Sequence, residues 1–278
     1  MALGYLTERF NKDIHLKSIT DLILFITAPC LVFDSLSQKG IHWFEFIAIS
    51  LSATVVVLGG AFITFLFFSF LGTSLSELYL PVMFMNCGNL ALPLCLLTFG
   101  EQGLRMGIIY YVTVSFLTYT LGIFIISRQN SPMDVLKIPI IYAFLLGLTV
   151  SIVHYQMPEA IMRPIAMLGS ITIPLMLLSL GYKLSTIRLD NLKMASAAAL
   201  LRLGGGFVLG LMIINILGLS GVTGKIILLV SIMPSAVINF VLAERYQANA
   251  DLVASTIFVS TLLSLVTIPL FLVLAINS

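Results

Sequence analysis

Long apolar runs separated by short polar breaks make up most of the chain. Each run lasts about 20 residues, the length that a helix needs to cross a bilayer core about 30 Å thick. Strands of membrane β-barrels instead alternate in polarity over about ten residues. The pattern therefore predicts nine membrane-spanning helices, at residues 18–36, 44–71, 79–99, 106–126, 137–155, 161–184, 195–217, 225–243 and 252–276.

The composition strengthens this prediction. Of the 278 residues, 59% are hydrophobic and only 9% are charged, whereas about a quarter of the residues in soluble domains are charged. Backbone groups inside lipid must bond to one another, which favours an all-α integral membrane protein. The net charge of +2 includes no basic block, and the three cysteines lack metal-ligand spacing. We therefore predict no nucleic-acid partner, no metal and no cofactor.

The positive charges between the runs predict the orientation. Loops before the odd-numbered spans carry nine Lys and Arg residues, and loops on the opposite face carry four. The richer face should be cytoplasmic, which places the C-terminus outside the cell membrane.

The apolar residues 1–6 precede the first span. Six helical residues rise about 9 Å and cannot cross a bilayer, so we interpret them as the end of a helix whose start is absent. A truncation, a misassigned start codon and a natural nine-span protein all fit this sequence.

The chain repeats itself at about half its length. Ile26-Thr-Ala-Pro29 recurs as Ile171-Thr-Ile-Pro174, and Gly59-Gly60 recurs within Gly204-Gly-Gly206, both at an offset of 145 residues. We predict two repeats, residues 1–130 and 131–278, which an odd number of helices per repeat places in opposite orientations. Inverted repeats with matching helix breaks indicate a secondary transporter with a site near the membrane midplane.

Two spans carry such breaks. The first contains the run NCGNLALP from Asn86 to Pro93, and the second contains MPSAVIN from Met233 to Asn239. Pro93 has no N–H for the Asn89 carbonyl, and Gly88 eases local unwinding. The amides can bind a neutral or anionic ligand, and half-helix N-termini favour a carboxylate. The competing interpretation is a kink whose polar groups are satisfied by neighbouring helices.

Two ionisable residues inside spans are further candidates. Arg202 lies within the seventh span, where it either pairs with a carboxylate, attracts an anionic substrate or extends to the cytoplasmic face. Asp34, near the end of the first span, is either a coupling residue or an ordinary helix-end charge.

The motifs resemble those of the auxin efflux carrier family, in its bacterial form. The resemblance rests on NCGNLALP, on TIPLMLLSLG at residues 172–181, on MPSAVINFVLAERY at residues 233–246 and on STLLSL at residues 260–265. It implies two inverted repeats of five helices, with the first helix truncated here. It also implies a scaffold domain from residues 1–37 and 135–184 and a transport domain from residues 43–127 and 191–276.

The resemblance further implies a substrate site where the broken helices cross, and elevator-type movement of the transport domain. The substrates would be small organic anions such as auxin, malate or malonate. The residues expected to line the crossing are Asn86, Gly88, Asn89, Pro93, Pro234, Ser235 and Asn239. A homodimer through the scaffold is implied as well.

Other functions remain open at this stage. A sodium-coupled symporter or cation/proton antiporter of related fold would carry a carboxylate cluster at the crossing, and H⁺ or Na⁺ is a possible coupling ion. A membrane enzyme would need a catalytic constellation such as HExxH or GxSxG, and neither occurs. A membrane receptor or assembly factor would not need paired helix breaks.

Overall fold

The computed structural model describes residues 16–37, 43–71, 76–126, 139–153, 155–186 and 190–277. Nearly all of them are helical, and within these ranges the only strand-like pairing is a single isolated bridge between Met85 and Ser235. The prediction of an all-α fold is confirmed. The predicted helix end at residues 1–6 lies outside the described residues.

In the first half of the chain, the described residues begin with a nearly continuous helical segment. Here α1 (Leu16–Leu22) passes through a π-helical stretch (Ile23–Thr27) into α2 (Ala28–Ser37). The remaining helices of this half are α3 (Trp43–Leu71), α4 (Tyr79–Met83), α5 (Leu92–Leu117) and α6 (Ile123–Ile126), with π-helical turns at Cys87–Ala91 and Thr118–Gly122 and a 3₁₀ turn at Ser76–Leu78.

The second half consists of helices joined by short connections. They are α7 (Pro139–Val153), α8 (Glu159–Ser170), α9 (Thr172–Thr186), α10 (Leu192–Ile216), α11 (Gly221–Ser231), α12 (Ile238–Arg245) and α13 (Ala250–Asn277).

Five helical stretches within the described ranges are long and apolar enough to cross a membrane. They are Trp43–Phe70, Cys87–Ile126, Glu159–Ser179, Leu192–Ile216 and Ala250–Leu274. The second of them has 40 residues, about 60 Å of helix, which is twice the thickness of a bilayer core. Its backbone leaves the helical conformation at Gly100 (φ 64°, ψ −157°), the point at which we predicted a loop between two spans. Nine spans and inverted repeats remain predictions.

The surface fits a lipid environment. Large apolar side chains face outward along α3, and Phe70 is 91% exposed. Several buried hydroxyls bond instead to the carbonyl one helical turn earlier, as Ser52 does to Ala48 at 2.7 Å. Apolar groups outside and internally satisfied polar groups inside are the arrangement that a bilayer requires, so the protein is membrane-embedded.

The helices pack as two groups. The first helix group contains α1, α2, α7, α8 and α9, and the second helix group contains α3 to α6 and α10 to α13. Within the first group, a Cβ atom built on Gly147 would lie 3.2 Å from the Leu36 Cβ atom, so α7 and α2 approach closely. The groups meet where α9 packs against the π-helical turn Cys87–Ala91 and where α5 packs against α2, α7 and α9. That turn belongs to one of the two broken helices.

Candidate functional site

The first helix break lies just before the run that begins at Asn86. Helix α4 ends at Met83, and Phe84 is extended (φ −106°, ψ 110°). The π-helical turn Cys87–Ala91 follows, and its Ala91 N–H donates to the Asn86 carbonyl at 3.2 Å. Pro93 occupies the first turn of α5, where its missing N–H costs least.

The unwound residues of this break are therefore not at Gly88, where we expected them. Gly88 lies inside the π-helical turn, and a Cβ atom there would come within 3.0 Å of the Tyr111 ring. Close packing, rather than unwinding, explains a glycine at this position.

The second break separates α11 from α12. Helix α11 ends at Ser231, α12 begins at Ile238, and Pro234 lies between them. Proline cannot donate the helical hydrogen bond and crowds the preceding turn, so the predicted interruption at Met233 to Asn239 is where the structure has it.

The two breaks cross each other as a short antiparallel bridge. The Asn86 N–H donates to the Pro234 carbonyl at 2.7 Å, and the Ala236 N–H donates to the Phe84 carbonyl at 3.0 Å. Met85 and Ser235 face each other between these bonds. Backbone groups that the breaks remove from the helices are thus paired with each other, which buried peptide groups require.

Side chains of the second broken helix reinforce the crossing. The Asn239 amide nitrogen donates to the Phe84 carbonyl at 2.9 Å and to the Ser235 hydroxyl at 3.0 Å. The Ser235 N–H donates to the Ser260 hydroxyl at 3.2 Å, which ties the crossing to α13. Neither Ser235 nor Asn239 is exposed.

Two polar atoms at the crossing have no hydrogen-bond partner among the described residues. They are the amide nitrogen of Asn86 and the amide oxygen of Asn239. One is a donor and the other an acceptor. A buried polar group without a partner is costly, and a ligand that supplies both partners would remove that cost.

Arg202 lies beneath the crossing and is only 1% exposed. Its guanidinium donates to the carbonyls of Val82 (2.7 Å) and Met83 (3.1 Å) at the end of α4. It also donates to the Ser231 carbonyl at the end of α11, at 2.8 Å. Its partners in the described ranges are thus carbonyl groups rather than a carboxylate, and its burial contradicts the interpretation that it extends to the aqueous face.

Glycines let neighbouring helices approach these helix ends. A Cβ atom on Gly60 of α3 would lie 3.2 Å from the Val82 carbonyl oxygen, and one on Gly206 of α10 would overlap the Ser231 carbonyl and the Arg202 guanidinium. The repeated glycines thus include close-packing positions at the ends of both half-helices.

The structure brings together most of the candidate residues. Asn86, Pro234, Ser235 and Asn239 meet at the crossing. The remaining members of the first run, Gly88, Asn89 and Pro93, lie in the π-helical turn and the start of α5 that follow directly. Asp34 is elsewhere, half-buried on α2 in the first helix group.

The sequence analysis did not identify two buried hydroxyl groups as candidate functional groups. Thr27 and Thr172 are fully buried, and their side-chain oxygens find no partner within the described part of the chain. Each is the threonine of the repeated Ile-Thr-x-Pro motif. The repeat was therefore the signal that could have identified them.

Comparison with known proteins places the chain in a family. The family model described as membrane transport protein matches residues 1–138 and 132–272. An uncharacterized transporter of Methanocaldococcus jannaschii is 26% identical over 98% of this chain and 94% of its own length. An uncharacterized transporter of Methanothermobacter thermautotrophicus is 32% identical over 67% of this chain and 64% of its own length.

These names indicate membrane transport rather than enzymatic activity, and the archaeal relatives share the family that the motifs resemble. The chain belongs to the membrane transport protein family, that of the auxin efflux carriers.

Proposed function

We propose that this protein is a secondary transporter that carries small organic anions, carboxylates such as malate, malonate or auxin-like acids, across the cell membrane. The observation that carries the proposal is the crossing of two broken helices, where a donor on Asn86 and an acceptor on Asn239 find no partner among the described residues. A carboxylate accepts hydrogen bonds from the Asn86 amide, and a hydroxyl or protonated acid group on the same molecule donates to Asn239.

The electrostatics of the crossing support an anionic substrate. Helix N-termini carry a partial positive charge and N–H groups without intrahelical partners, and the segments after both breaks begin at the crossing. Arg202 adds a full positive charge nearby. A sodium or proton carrier would be expected to place negative groups at this point instead.

We propose that movement is of the elevator type. The bridge between Met85 and Ser235 and the three bonds of Arg202 tie both breaks into the second helix group. A substrate bound there would travel with that group while the first helix group stays fixed as the scaffold. We propose that the second and first helix groups are the transport and scaffold domains that the sequence leads us to expect.

Uptake into proteoliposomes tests the proposal. The purified protein should accumulate at least one radiolabelled acid from malate, malonate, succinate and indole-acetate, and the same acid should raise its unfolding temperature in detergent. Asn86→Ala should weaken uptake about tenfold or more with little change in stability, since the lost amide nitrogen has no partner in the part of the chain that the structure describes.

Asn215→Ala is the matched control. Asn215 is an exposed asparagine on α10 whose amide nitrogen donates within its own helix, to the Leu211 carbonyl at 2.9 Å, and its removal should leave uptake unchanged. Equal uptake by the Asn86→Ala and wild-type proteins would reject the crossing as the substrate site. A response to sodium with none to any acid would favour the symporter or antiporter alternative.

A further inference from the structure

Arg202 holds an unusual position for a charged side chain. It is the eleventh residue of α10, about 15 Å from the start of that helix, and therefore far from either membrane surface. Among the residues that the structure describes, it is the one charged side chain that is buried. Arginine keeps its proton under all physiological conditions, so the charge is permanent.

The guanidinium joins the ends of both half-helices. It bonds Val82 and Met83 from the first broken helix and Ser231 from the second. These are backbone carbonyls, and the planar fork of an arginine can reach several of them together. The remaining Nε–H of the guanidinium has no partner among the described residues. Through its bonds to the two helix ends, Arg202 is a positioning residue.

The charges at the crossing can be added up. Each half-helix ends in roughly half a negative charge at its carbonyl end, and each following segment begins with roughly half a positive charge. These four contributions cancel to about zero. The full positive charge of the guanidinium remains.

We infer that Arg202 gives the crossing one fixed net positive charge, and that the transporter therefore selects singly charged carboxylates over doubly charged ones. This inference rests on the proposed function. A monoanion makes the loaded crossing neutral, which favours its passage through hydrocarbon. A dianion leaves one uncompensated negative charge in the membrane, and such a charge is expensive.

The unpaired polar atoms agree with this charge state. A singly protonated dicarboxylic acid has one carboxylate to accept from the Asn86 amide and one O–H to donate to the Asn239 oxygen. A dianion without a hydroxyl group, such as succinate or malonate, has no donor and would leave the Asn239 oxygen unpaired.

Matched pairs of acids test the inference on the unmodified protein. Succinate and its monoamide succinamate have nearly the same shape, but at about pH 7.5 the first carries two negative charges and the second carries one. A single carboxyl group titrates near about pH 4, and in succinate the charge of the first carboxylate raises the pKa of the second group above that value, though not as far as about pH 7.5. Malonate and malonamate form a second pair. We expect the monoamide to bind at least about tenfold more tightly than its parent acid at this pH, by thermal shift and by competition for uptake.

The pH dependence of binding distinguishes protonation of the substrate from protonation of the protein. Towards about pH 5 succinate gains its first proton, and its affinity should rise severalfold while that of succinamate stays constant. Titratable groups near the guanidinium are the Tyr110 hydroxyl and the Cys87 thiol, which in water ionise near about pH 10 and about pH 8.5 respectively. The elements that pack on α10 also carry Glu45, Tyr79, Lys225 and Asp251 near their ends. Any titration of the protein would change the succinamate affinity as well, so the monoamide is the internal control.

Variants of Arg202 provide a second test, of whether its charge causes the preference for monoanions. Arg202→Lys keeps the charge and should keep the preference for the monoamide. Arg202→Gln removes the charge, retains one amide nitrogen with two N–H donors for the carbonyls, and should lower the preference towards equality. A purely structural role would change both affinities together and leave their ratio as it is.

The results of these measurements distinguish failure of the inference from failure of the proposed function. Equal or tighter binding of the dianion by the wild-type protein at about pH 7.5 overturns the inference and leaves the proposed function standing. If no acid of either charge binds or is taken up, the proposed function fails and the inference fails with it. If Arg202→Gln does not fold, the comparison of wild-type affinities decides alone.

Discussion

The amide of Asn239 both builds the crossing and leaves an atom for a ligand. Its nitrogen uses both hydrogens, one on the Phe84 carbonyl and one on the Ser235 hydroxyl. Because a carbonyl can only accept, the orientation of this amide is fixed by its partner. The oxygen therefore remains as the acceptor. Asn86 leaves its nitrogen unpaired instead, so the two asparagines offer complementary groups.

The buried hydroxyl of Thr172 leads to a prediction about stability. Its buried hydroxyl has no partner in the described ranges, and valine has nearly the same shape without the polar group. Thr172→Val should raise the free energy of unfolding by about 1 kcal/mol, because the cost of the unpaired oxygen is removed. Thermal unfolding in detergent without ligand would measure it.

Thr64→Val is the control for this prediction. Thr64 is also fully buried, but its hydroxyl bonds the Gly60 carbonyl at 2.7 Å, so its replacement should lower stability or leave it unchanged. If the two variants shifted the unfolding temperature in the same direction by the same amount, the unpaired hydroxyl of Thr172 would not be the cause.

At the scale of the element, continuous helices follow from local pattern and broken ones do not. The predicted span 44–71 differs by one residue from α3 (Trp43–Leu71), since an apolar run with polar ends needs no partner to become a helix. The break before Asn86 was displaced by several residues from its prediction. Phe84 leaves the helix because the Ala236 N–H and the Asn239 amide bond its carbonyl, and these partners come from more than 150 residues away.

Arg202 illustrates the same limit. Its position inside an apolar run identifies it from the sequence as a candidate functional residue. Which groups receive its hydrogen bonds depends on the carbonyls that two separate breaks release at Met83 and Ser231. No local pattern contains that information.

The close packing of helices around the breaks predicts how two glycine substitutions in α10 change stability. A Cβ atom on Gly206 would overlap the Ser231 carbonyl and the Arg202 guanidinium, whereas one on Gly204 meets nothing within 4 Å. Gly206→Ala should therefore destabilise the protein by about 1–3 kcal/mol through overpacking. Gly204→Ala in the same helix should stabilise it by about 0.5–1 kcal/mol, since alanine is the better helix former.

Paired thermal unfolding of these two variants would check the close approach of α10 to α11. Opposite shifts are expected. A Gly206→Ala protein that unfolds at or above the wild-type temperature would show that α10 and α11 lie further apart than the structure has them.

For the molecule as a whole, the division into two helix groups determines which part of the protein would move and which would stay fixed. Composition alone predicted a membrane protein, because so few charged residues cannot cover a water-exposed surface. The helix groups could not be read from composition, since α1 and α2 pack with α7 to α9 across a long separation in sequence. Their contact through α9 and the turn Cys87–Ala91 places the crossing at the boundary between the groups.

Cross-linking across that boundary tests the movement. Cys87 lies in the π-helical turn that packs on α9, so a second cysteine on the buried side of α9, at Met176 or Thr172, should come within reach of a bridging mercuric ion. Cys30 and Cys95 are first replaced by alanine. Because elevator-type transport requires the second helix group to slide past the first, the bridge should abolish uptake, and added thiol should restore it.

A bridge inside the first helix group is the matched control. A Cβ atom on Gly147 would lie 3.2 Å from that of Leu36, close to the separation of about 3.5–4.5 Å found in disulfides. With all three native cysteines replaced, the pair Leu36→Cys and Gly147→Cys should link α2 to α7 and leave uptake intact, because both helices belong to the same group. Unimpaired uptake by protein bridged between Cys87 and α9 would contradict the movement, since substrate would then cross without displacement of the second group. Loss of uptake in both bridged proteins would show that transport needs motion within the first group as well, so that this group is not a fixed scaffold.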